Sequence, residues 1–153
     1  MLSTASGSIF SPDESLKNLI EFRSAGGGPT GTQPARRKVL VVDDQKLIAD
    51  TMTEILDAAG FHVMAAYDGW SALDIARRFH PDCLLSDVLM PRMNGVELAI
   101  AIQRMLPAAR ILLFSGQAGI SEVLLAGKEQ GFEFELIAKP IHPLKLIERL
   151  KEQ

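Results

Sequence analysis

The sequence predicts an α/β fold built on a parallel sheet, and three observations carry that prediction. Short apolar runs alternate with stretches whose apolar residues recur every three or four positions. The runs are mostly continuous rather than alternating, as strands buried on both faces are. Four of them end on polar groups: Asp43-Asp44, Asp87, Ser115 and Lys139-Pro140. Parallel strands bring such groups to one side of a sheet, at their carboxyl ends.

The elements follow in chain order. Ser11-Pro12-Asp13-Glu14 has a serine cap, a proline at the first helical position and an acidic residue placed to close a capping box. A short helix over 12–24 follows from it, with Leu16, Leu19 and Ile20 on one face and Gly26 as its stop. Residues 24–34, Ser-Ala-Gly-Gly-Gly-Pro-Thr-Gly-Thr-Gln-Pro, are a linker by composition. A lone helix of this length is marginal in water, so residues 1–37 read as a flexible extension and 38–153 as the folded domain. The competing reading of the extension is a docking helix, for the domain itself or for a partner.

Val39–Val42 is the first strand. Leu47, Ile48, Met52, Ile55 and Leu56 have helical spacing, and Gly60 stops that helix. His62–Ala66 is the second strand, followed by a helix marked by Trp70, Leu73, Ala76 and Phe79 and closed before Pro81. Cys83–Ser86 is the third strand. The helix from Gly95 to Leu106 carries Val96, Ala99, Ile102 and Leu106 on one face. Ile111–Phe114 is the fourth strand, Ile120 to Gln130 a helix stopped by Gly131, and Phe134–Ala138 the fifth strand. Pro143 opens the last helix, with Leu144, Ile147 and Leu150. Five strands and five helices joined by right-handed crossovers give a doubly wound sheet. The expected strand order is 2-1-3-4-5, the flavodoxin-like (βα)5 arrangement. Strands 1 and 3 are then neighbours, and Asp43, Asp44 and Asp87 meet at the switch point.

Composition narrows the function. Apolar residues make up 47% of the 153, enough for a core, and no apolar run approaches the roughly 20 needed to span a membrane. The N-terminus lacks the basic start and apolar stretch of a secretory signal. Cys83 is the only cysteine, which fits a reducing cytoplasm and, inside a strand, a small core residue. A net charge of −3 argues against general nucleic-acid binding. His62, His80 and His142 are too scattered for a metal site and read as surface or boundary residues. Trp70 and Phe79 read as helix packing, and Arg77-Arg78 as a solvated face.

Three carboxylates brought within a few ångströms repel by roughly 4 kcal/mol per pair at about 4 Å. Either one keeps a proton or a divalent cation binds. Hard oxygen donors suit Mg²⁺. With the charge offset, Asp87 can attack phosphorus as a carboxylate nucleophile. Ser115 can donate to a phosphoryl oxygen, and Lys139 can pair with another.

Val39-Leu40-Val41-Val42-Asp43-Asp44, Ser86-Asp87-Val88-Leu89-Met90-Pro91-Arg92-Met93-Asn94-Gly95, Phe114-Ser115-Gly116 and Ala138-Lys139-Pro140 together resemble a response-regulator receiver domain of two-component signalling, over residues 38–153. The resemblance implies that Asp87 is the phospho-acceptor, charged by a histidine kinase or phosphotransfer protein. It implies that Asp43 and Asp44 hold Mg²⁺ with Asp87 and the main-chain carbonyl of Leu89. Ser115 takes the place of the family's switch hydroxyl and Lys139 that of its lysine, and the Lys139–Pro140 bond is expected to be cis. It further implies a signalling surface, and a homodimer contact, on the fourth helix, fifth strand and fifth helix. One departure stands out. The family's aromatic three residues before the lysine is Leu136 here; either Phe134, two residues earlier on the same strand face, partly replaces it, or the output surface responds by backbone movement alone.

Competing readings are a receiver-like interaction module that works without phosphorylation, and a hydrolase with an aspartyl intermediate. The second expects Asp-x-Asp after the first strand, where this chain has Gln45. A dinucleotide-binding enzyme lacks its glycine fingerprint. No enzymatic activity beyond self-phosphorylation and dephosphorylation is expected.

Overall fold

The computed structural model describes residues 35–116 and 121–152. Five strands, β1 (Lys38–Val42), β2 (His62–Ala66), β3 (Cys83–Asp87), β4 (Arg110–Ser115) and β5 (Glu135–Ala138), alternate with five helices. The helices are α1 (Lys46–Ala58), α2 (Gly69–Phe79), α3 (Gly95–Met105), α4 (Ser121–Glu129) and α5 (Pro143–Lys151). The strands pair in parallel in the order β2-β1-β3-β4-β5, the doubly wound arrangement that the alternation predicts. The expected helix over 12–24 and the linker lie outside the described residues, as does Ile120.

Alternate strand residues feed two cores. Leu40, Val42, Leu84 and Leu113 join α2 and α3 through Leu73, Ala76, Leu98 and Ile102. Val39, Val41, Leu85, Leu112 and Phe114 join α1 and α5 through Ala49, Leu56, Leu146 and Leu150. Each fully buried aliphatic side chain contributes about 1.5–3 kcal/mol, set against the entropy of ordering it. Among the described residues no helix is long and apolar enough to cross a membrane.

Helix ends are set locally. Asp68 caps α2 by accepting from the Ser71 N–H at 2.8 Å. Asn94 and Glu97 form a reciprocal capping box on α3. His142 Nδ1 accepts from the Leu144 N–H at 3.1 Å, with Pro143 in the first turn of α5. At the amino ends of the strands, Arg110 pairs with Glu135 at 3.0 Å, and Arg149 pairs with the same carboxylate. Arg110 also donates to the carbonyls of Arg149 and Glu152, and Arg37 to that of Leu150. The C-terminal end of α5 is thereby held by two guanidinium groups from β4 and the chain before β1.

Three expectations need correction. Trp70 does not pack inward: it is 64% exposed, while Ala72, Leu73, Ala76 and Phe79 make the buried face of α2. Leu47 is likewise exposed, in the first turn of α1. β5 starts at Glu135, which pairs with Leu112; Phe134 stays outside the strand and stacks on Phe132 at 6.0 Å between ring centroids. Arg77 and Arg78 form a solvated face, and Cys83 is a core residue, as the sequence implies.

Candidate functional site

β1 and β3 run side by side with Val42 level with Ser86, so the next residue of each, Asp43 and Asp87, emerges at the same end of the sheet. One carboxylate oxygen from each of Asp43, Asp44 and Asp87 lies within 4.8 Å of the others. Asp43 is buried, Asp87 half-buried and Asp44 exposed. Burying Asp43 is tolerable because both its oxygens are engaged. Oδ1 accepts from the Gln45 N–H at 2.9 Å, and Oδ2 pairs with Lys139 Nζ at 3.4 Å. Among the described residues, no buried side-chain polar atom lacks a partner.

β4 and β5 supply the rest. Ser115 and Ala138 are level in the sheet, and the Lys139 N–H donates to the Ser115 carbonyl at 2.8 Å. The Lys139–Pro140 peptide is cis, as expected. Lys139 Nζ stands 3.5 Å from Asp87 Oδ2, so the one ammonium bridges Asp43 and Asp87. A cleft of about 510 Å³ opens above these groups, with Ser115, Gly116 and Leu89 on its wall. Burial pushes the Asp87 carboxyl above its ordinary value, Lys139 pulls it back, and Asp43 pushes it up further.

The sequence-predicted site residues thus converge: Asp43, Asp44, Asp87, Ser115 and Lys139 form one constellation, with Leu89 at its wall. The reading of the sequence missed Gln45, whose backbone N–H orients Asp43. An aspartate two residues before a backbone donor is the signal of such a turn. It also missed how tightly Gly95 closes on the site. A Cβ there would overlap the Asp87 carbonyl oxygen and sit 2.9 Å from the Asp87 carbonyl carbon and Val88 Cα. Only glycine lets α3 begin against the end of β3, where the Gly95 N–H donates to the Val88 carbonyl at 2.7 Å. The histidines take no part: His62 packs edge-on against Phe79, His80 ends α2 and His142 caps α5.

Leu136, at the position of the missing aromatic, is 40% exposed on β5. The Phe134 ring packs with the α3-side core, 3.9 Å from where a side chain on Gly127 of α4 would begin.

A doubly wound five-stranded sheet with an acidic triad and a lysine at its switch point defines an α/β module with a candidate metal site at the carboxyl ends of its strands. The chain belongs to the response regulator receiver domain family, whose model matches residues 39–151. Solved structures agree. The chemotaxis protein CheY4 of Vibrio cholerae is 29% identical, with a TM-score of 0.67 over 76% of this chain and 98% of that one. A CheY-like receiver domain protein from Methanospirillum hungatei is 25% identical, with a TM-score of 0.69 over 76% of this chain and 92% of that one. The BeF3-activated DrrB receiver domain is 27% identical, with a TM-score of 0.64 over 76% of this chain and 96% of that one.

Proposed function

We propose that this protein is a phosphorylation-switched receiver whose phospho-acceptor is Asp87. The observation that carries this reading is the triad of carboxylates within 4.8 Å, with Lys139 spanning Asp43 and Asp87. The donor set is all hard oxygen and fits Mg²⁺. Asp43, Asp44, Asp87 and the Leu89 carbonyl would hold the ion, which supplies charge neutralisation for an incoming phosphoryl group.

The donor is a phosphohistidine of a kinase or phosphotransfer protein. An Asp87 carboxylate oxygen forms the new P–O bond as the donor's P–N bond breaks, and the donor imidazole leaves with the electron pair. Lys139 pairs with one phosphoryl oxygen and the Ser115 hydroxyl donates to another. Water later cleaves the acyl phosphate, returning the Asp87 carboxylate and inorganic phosphate. The added charge biases two arrangements of the surface formed by α4, β5 and α5. With Leu136 at the usual aromatic position, Phe134 serves as the moving aromatic. A reducing cytoplasm suits this exchange, and the single buried cysteine is in keeping with it.

The test is incubation with Mg²⁺ and acetyl phosphate, followed by a search for an acid-stable, base-labile adduct. Wild type should label and Asp87→Asn should not. Labelling that survives in Asp87→Asn moves the acceptor elsewhere. A wild type that neither labels nor binds BeF3 would favour the phosphorylation-independent module.

A further inference from the structure

β2 is a terminal strand of the sheet, and with α2 it leaves an apolar groove along that edge. Met64, Ile75 and Phe79 line it and Arg78 rims it, around a volume of about 280 Å³. Met64 is 38% exposed there. An uncovered sheet edge beside an apolar groove is a surface that proteins ordinarily cover or charge.

The described chain begins at the foot of this groove. Lys38 stands level with His62, its Nζ donates to the Phe79 carbonyl at 3.2 Å, and the same ammonium lies 5.6 Å from the Phe79 ring centroid. The Arg37 carbonyl accepts from the His62 N–H at 2.9 Å. Thirty-four residues precede this point. The last eleven of them, 24–34, are the Gly/Pro-rich stretch, which reaches about 36 Å when extended. Ahead of it comes the segment with the capping signal and the Leu16, Leu19 and Ile20 stripe. As a helix, residues 12–23 would measure about 18 Å, close to the roughly 17 Å of a five-residue strand such as β2.

We propose that residues 12–23 dock as an amphipathic helix in the groove between β2 and α2. Leu16, Leu19 and Ile20 seat against Met64, Ile75 and Phe79. Charge favours this groove over the one between α3 and α4. The segment carries Asp13, Glu14 and Glu21 against Lys17 and Arg23. On α2, Arg77 and Arg78 stand exposed against the single carboxylate of Asp74, which pairs with Arg78 at 3.2 Å, a net positive face, whereas Glu97 and Glu122 rim the α3–α4 groove. Docked this way, the extension covers the sheet edge and leaves the α4–β5–α5 surface open.

The experiment uses the full chain carrying Cys83→Ala and a nitroxide on Asn18→Cys, on the side of the segment away from its apolar stripe. Paramagnetic broadening should centre on amides 63–66 and 75–79 and persist on dilution. Met64→Asp should remove it and lower amide protection at residues 16–20 by about tenfold or more. If Met64→Asp perturbs folding, Leu19→Asp in the segment makes the same test without touching the domain. Broadening that is absent, that survives both variants, or that centres on α3 and α4 overturns the proposal. Broadening that disappears on dilution assigns the contact to a second copy and overturns it equally.

Discussion

Replacing Gly95 with alanine separates two physical effects by their sign. Glycine near a helix start loses more backbone entropy on folding than alanine, so the exchange would ordinarily stabilise by about 0.4–1 kcal/mol. Here the added Cβ would sit 2.9 Å from two backbone atoms, the Asp87 carbonyl carbon and Val88 Cα, and overlap the Asp87 carbonyl oxygen. Carbon atoms pack at about 3.5–4.0 Å, so α3 and β3 must part by at least about 0.6 Å. Neither neighbour is a flexible side chain that can swing aside. Overpacking of this kind costs about 1–3 kcal/mol. Lengthening the 2.7 Å Gly95-to-Val88 hydrogen bond adds about 1 kcal/mol. The expected loss is about 2–4 kcal/mol, read as a fall in the urea midpoint at unchanged slope. Because the overlap falls on Asp87 itself, acetyl phosphate labelling should drop in the fraction that remains folded. Stability within about 0.5 kcal/mol of wild type, or above it, would refute the close approach as the reason for glycine.

Four further outcomes follow from other features. Gly60→Ala should cost only about 1 kcal/mol: its φ of +103° strains any side chain, yet a Cβ there meets nothing within 4 Å. Burial pushes the Cys83 thiol from 9.0 up to about 12, so the unfolded chain releases this proton first as pH rises. The stability held by the neutral thiol is therefore full below pH 9 and lost between pH 9 and about 12, up to about 4 kcal/mol; alkaline titration of Cys83→Ala against wild type checks it. Asn94→Ala removes one half of the capping box on α3 and should lower thermal stability by about 1 kcal/mol, with Asn94→Asp retaining most of it. Phe134→Ala should weaken the phosphorylation-dependent change on the α4–β5–α5 side in partner-binding measurements; unchanged switching would remove Phe134 as the moving aromatic.

The strands were legible because β1, β3 and β4 are buried on both faces and therefore read as unbroken apolar runs. The polar residues ending those runs were legible for the same reason: each breaks an apolar segment at the point where the sheet ends. Helical spacing was a weaker guide to burial. Trp70 and Leu47 fit the period of their helices, but each lies near the start of its helix, on a flank the sheet does not reach. The start of β5 was misplaced because Phe134 has strand propensity, while its ring is drawn to Phe132 and the α3-side core. Contacts between residues far apart in the chain left no local signal. The approach of Gly95 to Asp87, the sharing of Lys139 between two aspartates, and the grip of Arg110 on Glu135 and the end of α5 all arise only when distant segments meet.

That last grip makes α5 a lever with its fulcrum at one end. The guanidinium groups of Arg37 and Arg110 hold the carbonyls of its final turn, while its first turn follows Lys139 and Pro140 at the opposite end of the sheet. With its last turn clamped in this way, the first turn of α5, next in the chain after Lys139 and Pro140, is the end that a displacement at the cleft reaches first. β4 is the matching strut: Arg110 fastens its near end to that fulcrum, and Ser115 ends its far end in the cleft.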